Sequence, residues 1–126
     1  MSLHPIREAT ELLSLCPSKQ TLELQKSFDA KDLPLRLDDR VDEFLVDFQE
    51  NMVALMMHKE LHRLKRELPS VFLCFDAIQS WLETKPDLRT VQGMIFSSEW
   101  SALRSIARVA LSEIEQFRKK ETISFS

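Results

Sequence analysis

Glycine is almost missing from this chain. Gly93 is the only one in 126 residues, where average usage of roughly 7% would give about nine. Tight hairpins and phosphate-cradling loops consume glycine because they need positive φ or close backbone approach. A chain this poor in glycine has little capacity for either, which favours helices and weighs against a Gly-rich nucleotide site. Cysteine is scarce as well. Cys16 and Cys74 stand far apart with no Cys-x-x-Cys and no Cys/His cluster, so neither a disulfide framework nor a zinc pattern is present. Both thiols read as small core hydrophobes of a reducing compartment.

Charge of one sign is lacking too. With 17 basic and 20 acidic residues the formal net charge is −3, and no global field recruits polyanions. The apolar run "LLSLC" is too short, and its upstream flank too acidic, for a signal segment. No stretch approaches the roughly 18 uncharged apolar residues of a membrane span. An intracellular protein, cytoplasmic or nuclear and without a membrane partner, is the expectation. G-x-S-x-G elbows and recognisable Cys/His nucleophile arrangements are absent, and the carboxylates at 38, 39, 42 and 43 suit a helix start. No enzyme and no cofactor are therefore expected.

What is present is helical periodicity. Residues 1–126 read as one helical domain, with 1–3 and 121–126 as frayed ends. In "HPIREATELLSLCP", Pro5 suits a first turn, and Ile6, Ala9, Leu12, Leu13 and Cys16 share one face before Pro17. This predicts a helix over 4–16. A short helix near 18–30, pairing Leu24 with Phe28, precedes an extended linker over 31–37 in which leucines alternate around Pro34.

The clearest signal starts at "DDRVDEF", where Asp38 or Asp39 is a good N-cap, and no breaker follows until Pro69. The spacing predicts a helix of about 30 residues, some 45 Å long. Val41, Phe44, Leu45, Phe48, Met52, Leu55 and Met56 share one face. Val46, Val53, Met57, Leu61, Leu64 and Leu68 lie roughly opposite. The apolar stripe thus changes sides near residue 55. Beyond Pro69, Val71, Cys74, Phe75, Ile78, Trp81 and Leu82 make a regular inward stripe that leaves out Phe72 and Leu73. A short turn ending near Gly93 comes next. A last helix from Ser97 or Ser98 carries Trp100, Leu103, Ile106, Ala107, Ala110, Leu111, Ile114 and Phe117 on one side.

The fold expected is all-α: a four- or five-helix antiparallel bundle built round one long central helix, about 38–68. Unless the first helix or the 18–37 segment covers its second face, that face would expose several large apolar groups in a row, which monomers rarely do. The expected function is a non-enzymatic protein–protein interaction domain, an adaptor or subunit of an intracellular assembly. Its partner would be another protein chain or a second copy. The partner-binding residues expected are Met57, Leu61, Leu64 and Leu68, then Phe72 and Leu73.

The competing site is "HKELHRLKRELP", residues 58–69, whose basic face runs from His58 to Arg66. Histidines four apart on a helix can chelate a metal. Here Lys59 holds the place where H-E-x-x-H needs glutamate, and Lys59, Arg63 and Lys65 repel a cation, so no metal is expected. The same basic face, joined by Arg118, Lys119 and Lys120, could neutralise phosphates. Cations in last helical turns are more simply explained by the helix dipole, and nucleic acid ranks below a protein partner.

Overall fold

The computed structural model describes residues 3–26 and 37–125, with side chains to Lys120. Every regular element among them is helical. In chain order these are α1 (His4–Ser14), α2 (Pro17–Lys26), α3 (Leu37–Met56), α4 (Leu61–Glu67), α5 (Pro69–Thr84), a 3₁₀ turn (Pro86–Arg89), α6 (Val91–Phe96) and α7 (Ser98–Phe125). The expected rod over 38–68 does not form. It is two helices, α3 and α4, separated by a turn at Met57–Glu60.

The physical reason lies in the stripe that changes sides. A straight helix would aim Leu64 and Leu68 away from the core that Val41, Leu45, Phe48, Met52 and Leu55 enter. The break lets both reach it: Leu64 is 1% exposed and Leu68 0%. Burying two leucines is worth about 1.5–3 kcal/mol each. The turn gives up little in exchange, because its amides find new partners. Met57 and His58 donate to carbonyls three residues back (Ala54 at 3.3 Å, Leu55 at 3.1 Å), and Leu61 donates to His58 at 3.2 Å. Glu60 N donates to His58 Nδ1 at 3.0 Å. Each bond so retained preserves a net contribution of about 0.5–1.5 kcal/mol. Burial therefore wins over helix continuity, without proline or glycine at the break.

The shortened α3 touches α1, α2, α5, α6 and the 3₁₀ turn, while α7 packs against α1, α5 and α6. Directions follow from side-chain pairs. Arg7 near the start of α1 meets Glu115 late in α7, while Arg108 donates to the Ser14 carbonyl at the end of α1, so these two run antiparallel. Ser70 at the start of α5 binds Glu113, and Trp81 late in α5 lies 5.4 Å from Trp100 in α7, so they too run antiparallel. Arg7 holds the Glu115 carboxyl below its usual range, by its hydrogen bond more than by its charge.

The inward faces read from periodicity are largely those that bury. Val71, Cys74, Phe75, Ile78 and Trp81 of α5 enter the core, as do Trp100, Leu103, Ala107, Ala110, Ile114 and Phe117 of α7. Burial pushes the Cys74 thiol up to about 12, which makes it inert at neutral pH. Four local expectations are corrected. Cys16 is exposed rather than core, because α1 ends at Ser14 and Leu15 turns into extended backbone before Pro17. Leu3 is buried, not frayed. Leu37 opens α3 instead of closing an extended linker, and α7 continues to Phe125 through the expected tail. Phe28 and linker residues 31–36 lie outside the described residues.

Helix α5 starts with Pro69 and has no side-chain cap of its own. Its cap comes from α7. Glu113 accepts from Ser70 N at 2.9 Å with one oxygen and from Ser70 Oγ at 2.8 Å with the other. A carboxylate at a helix N-terminus also opposes the positive end of the dipole. Glu113→Ala strands this half-buried pair of donors and is expected to lower unfolding free energy by about 1–3 kcal/mol. Urea denaturation with an unchanged slope would confirm the effect; a shift within error would mean water replaces the cap.

Candidate functional site

The structure divides the six residues expected to bind a partner. Leu64 and Leu68 are sealed in the core by the chain's own helices. Leu61 is half-buried at the start of α4, and Phe72 is half-buried against the core. Met57 is 84% exposed and Leu73 54%. Leu64 and Leu68 are therefore not docking anchors, for the same reason that the rod breaks.

Exposed apolar surface does collect beside the break, on residues that periodicity alone places differently. Val53 and Met56, one turn apart in α3, are exposed together with Met57, which follows the helix. The spacing puts Met56 on the inward stripe and Val53 on the outward one. Ending the helix at Met56 leaves both in its last turn, Val53 50% exposed and Met56 37%. Met56 also borders a cleft of about 330 Å³ whose other walls are Lys65, Pro69, Phe72, Phe75 and Asp76. The α3 terminus and the first two turns of α5 form its sides, and Lys65 of α4 stands over the Phe72 ring at 5.9 Å. Leu73 sits about 100° round α5 from Phe72, so it borders the patch and lies outside the cleft.

The electrostatic setting is basic on one side. Lys59 and Lys65 form no close ion pair among the described residues, and Arg66 acts on the neighbouring Glu67 carboxylate only through its charge. Arg63 is engaged with Glu60 and stacks 5.2 Å from the Phe117 ring. The site is thus a small, largely apolar cleft with Met56 on its lip and one charge of each sign, Lys65 and Asp76, in its lining. Methionine suits such a lip because an unbranched, polarizable side chain adapts to varied surfaces.

The competing histidine reading loses its geometry. His58 lies in the turn and His62 in α4, so the two no longer stand one turn apart on a single helix. The Nδ1 of His58 is occupied by the Glu60 amide. Among the described residues no group of three or more His, Cys, Asp and Glu is placed to hold a metal ion. The second basic run is tied down in part: Lys120 pairs with Glu67 at 3.0 Å and Arg118 with Glu115 at 3.7 Å. The Lys120 pairing holds the Glu67 carboxyl below its usual range. No described helix is long and apolar enough to cross a membrane.

No family model, curated protein or solved structure matches this chain. The class that fold and surface define is an all-helical domain with an apolar cleft beside an interrupted helix.

Proposed function

We propose that this chain is a non-enzymatic protein–protein interaction domain, an adaptor or subunit of an intracellular assembly, and that it docks its partner on the Met56–Met57–Phe72 surface. The observation that carries the reading is Met57. A methionine 84% exposed, flanked by exposed Val53 and Met56 and by a cleft with two phenylalanines, is surface that monomers seldom leave bare. The occupant that fits is a segment of another protein chain, amphipathic and acidic. One or two large apolar side chains would enter the cleft, and carboxylates would meet Lys59, Lys65 and Arg66. Helix-in-groove recognition works in this manner, with apolar anchors supplying affinity and rim charges setting register.

A photo-crosslinking amino acid at position 57 tests the proposal, with position 112 on α7 as control. The expected result is a discrete heavier adduct from position 57 in cells that express the protein. That adduct should be lost when Phe72→Glu is added and absent from position 112. Adducts equal at both positions would discard the site. An adduct of twice the chain mass would assign the surface to a second copy instead of a different protein.

A further inference from the structure

On the far side of the fold, the corner between α1 and α2, the end of α6 and the first three turns of α7 enclose a second cleft, of about 460 Å³. It shares no residue with the docking surface. Ser101, Arg104, Ser105 and Arg108 project from one face of α7, being three, four and seven residues apart. Ser97 and Ser98 stand at the start of that helix, and Cys16 and Pro17 form the opposite wall. No carboxylate lines this cleft.

Arg104 is the unusual member. It is only 6% exposed, yet its hydrogen-bond partners are neutral: Gln20 Oε1 at 2.8 Å, and the Met94 carbonyl. Gln20 is itself held by the Leu12 and Leu13 carbonyls. The Trp100 ring, 5.9 Å from the guanidinium, adds a cation–π contact. None of these supplies a negative charge. Its neighbour one turn on, Arg108, donates only to the Ser14 carbonyl at 3.3 Å. Burial first, and the Arg108 charge second, push the Arg104 pKa down from its ordinary value. Guanidinium stays protonated in proteins, so two cations share one cleft whose lining holds no carboxylate; the Cys16 thiol acts on Arg104 in the opposite sense, behind burial and Arg108.

We propose that this cleft is an anion site for a phosphate group, with Arg104 and Arg108 as the charged donors and the Ser97 and Ser101 hydroxyls completing its coordination. A buried cation without an anion is costly, and a bound oxyanion removes that cost for both arginines. Serine hydroxyls donate readily to phosphate oxygens, and the α7 N-terminus adds a positive dipole end. Glu99, which accepts from Ser98 Oγ at 2.8 Å, is the opposing charge beside the first turn and weakens the site without lining it. The volume exceeds one phosphate, and Ile95 and Phe96 form an apolar wall, so the phosphate would be carried on an organic group, as a phosphomonoester.

The test is an amide-shift titration of the full chain with inorganic phosphate, phenyl phosphate and acetate, at ionic strength held constant with chloride. Saturable shifts at Cys16, Ser97, Ser98 and Ser101 are expected, with phenyl phosphate tighter than inorganic phosphate and acetate weakest. Arg108 is exposed, so Arg108→Ala should fold normally and weaken phosphate binding about tenfold or more. Lys119→Ala should leave it unchanged. Absence of saturation, equal affinity in the Arg108 variant, or acetate binding as tightly as phosphate would each overturn the assignment.

Discussion

Leu68→Ala is expected to lower the unfolding free energy by about 2–5 kcal/mol, the range for deleting a fully buried leucine. Met57→Ala, eleven positions earlier and nominally on the same outward stripe, should stay within about 0.5 kcal/mol. On an unbroken helix over 38–68 both side chains would face the same way and both changes would be mild. The break at Met57–Glu60 divides them, placing Leu68 at 0% exposure and Met57 at 84%. Leu64→Ala should behave like Leu68→Ala. Equilibrium denaturation in urea reads all three, and a mild Leu68 variant would remove the case for the broken helix.

Gly93→Ala is expected to be comparably damaging, for a different reason. Gly93 is the third residue of α6, not the end of a turn as the sequence suggests, and it has no positive φ. Conformational freedom is not what it supplies. A Cβ at this position would lie 2.2 Å from the Asp87 carbonyl oxygen and 3.0 Å from Leu88 Cα. Both are backbone atoms of the 3₁₀ turn and cannot rotate away. That turn is held from several sides: Thr90 Oγ1 accepts from Gly93 N at 3.0 Å and donates to the Asp87 carbonyl at 2.8 Å. Trp100 Nε1 donates to the Leu88 carbonyl at 2.7 Å. The added methyl must therefore push α6 off the turn and disturb the Trp100 anchor, at a cost of about 1–3 kcal/mol or more. Lost stability with altered tryptophan fluorescence is the expected pair of readouts. Unchanged melting would show that α6 does not sit this close in solution.

These two positions show what the chain reveals locally and what it conceals. Helices α1, α5 and α7 are legible because each carries a single apolar stripe from a proline or serine start, so period and burial agree over most of their length, although α1 ends before Cys16 and α7 runs past its expected stop. The stretch 38–68 keeps two stripes, and a stripe that changes sides has two physical solutions. One is a straight helix with two greasy faces; the other is a bent chain with one core. No Gly or Pro marks the choice. The balance between leucine burial and a few helical bonds, partly restored by the His58 ring, decides it, and that balance depends on where α5 and α7 lie. Gly93 is legible as an unusual position, but the atom it approaches belongs to residue 87 across a turn.

The proposed docking surface is half-legible for the same reason. Met57, Phe72 and Leu73 can be picked out as residues left over by the stripes. Val53 and Met56 join them only because the helix stops there, and Leu64 and Leu68 leave because it bends. The cleft proposed for phosphate has a weaker trace. Ser101, Arg104, Ser105 and Arg108 are a helical face of hydroxyls and cations, visible in the spacing, but nothing local distinguishes a buried Arg104 from an ordinary solvated arginine. Its burial comes from Gln20 and Met94, which are 84 and 10 residues away.

Solvent access of individual methyl groups, read by paramagnetic relaxation from an inert soluble agent, is the sharpest check on the break between α3 and α4. If α3 ends at Met56 and α4 turns its leucines inward, the Met57 methyl relaxes strongly while those of Leu64 and Leu68 stay sharp. Leucine methyls at 64 and 68 that relax as fast as Met57 would mean that both stripes face water on one continuous helix, and the broken-helix fold would be wrong.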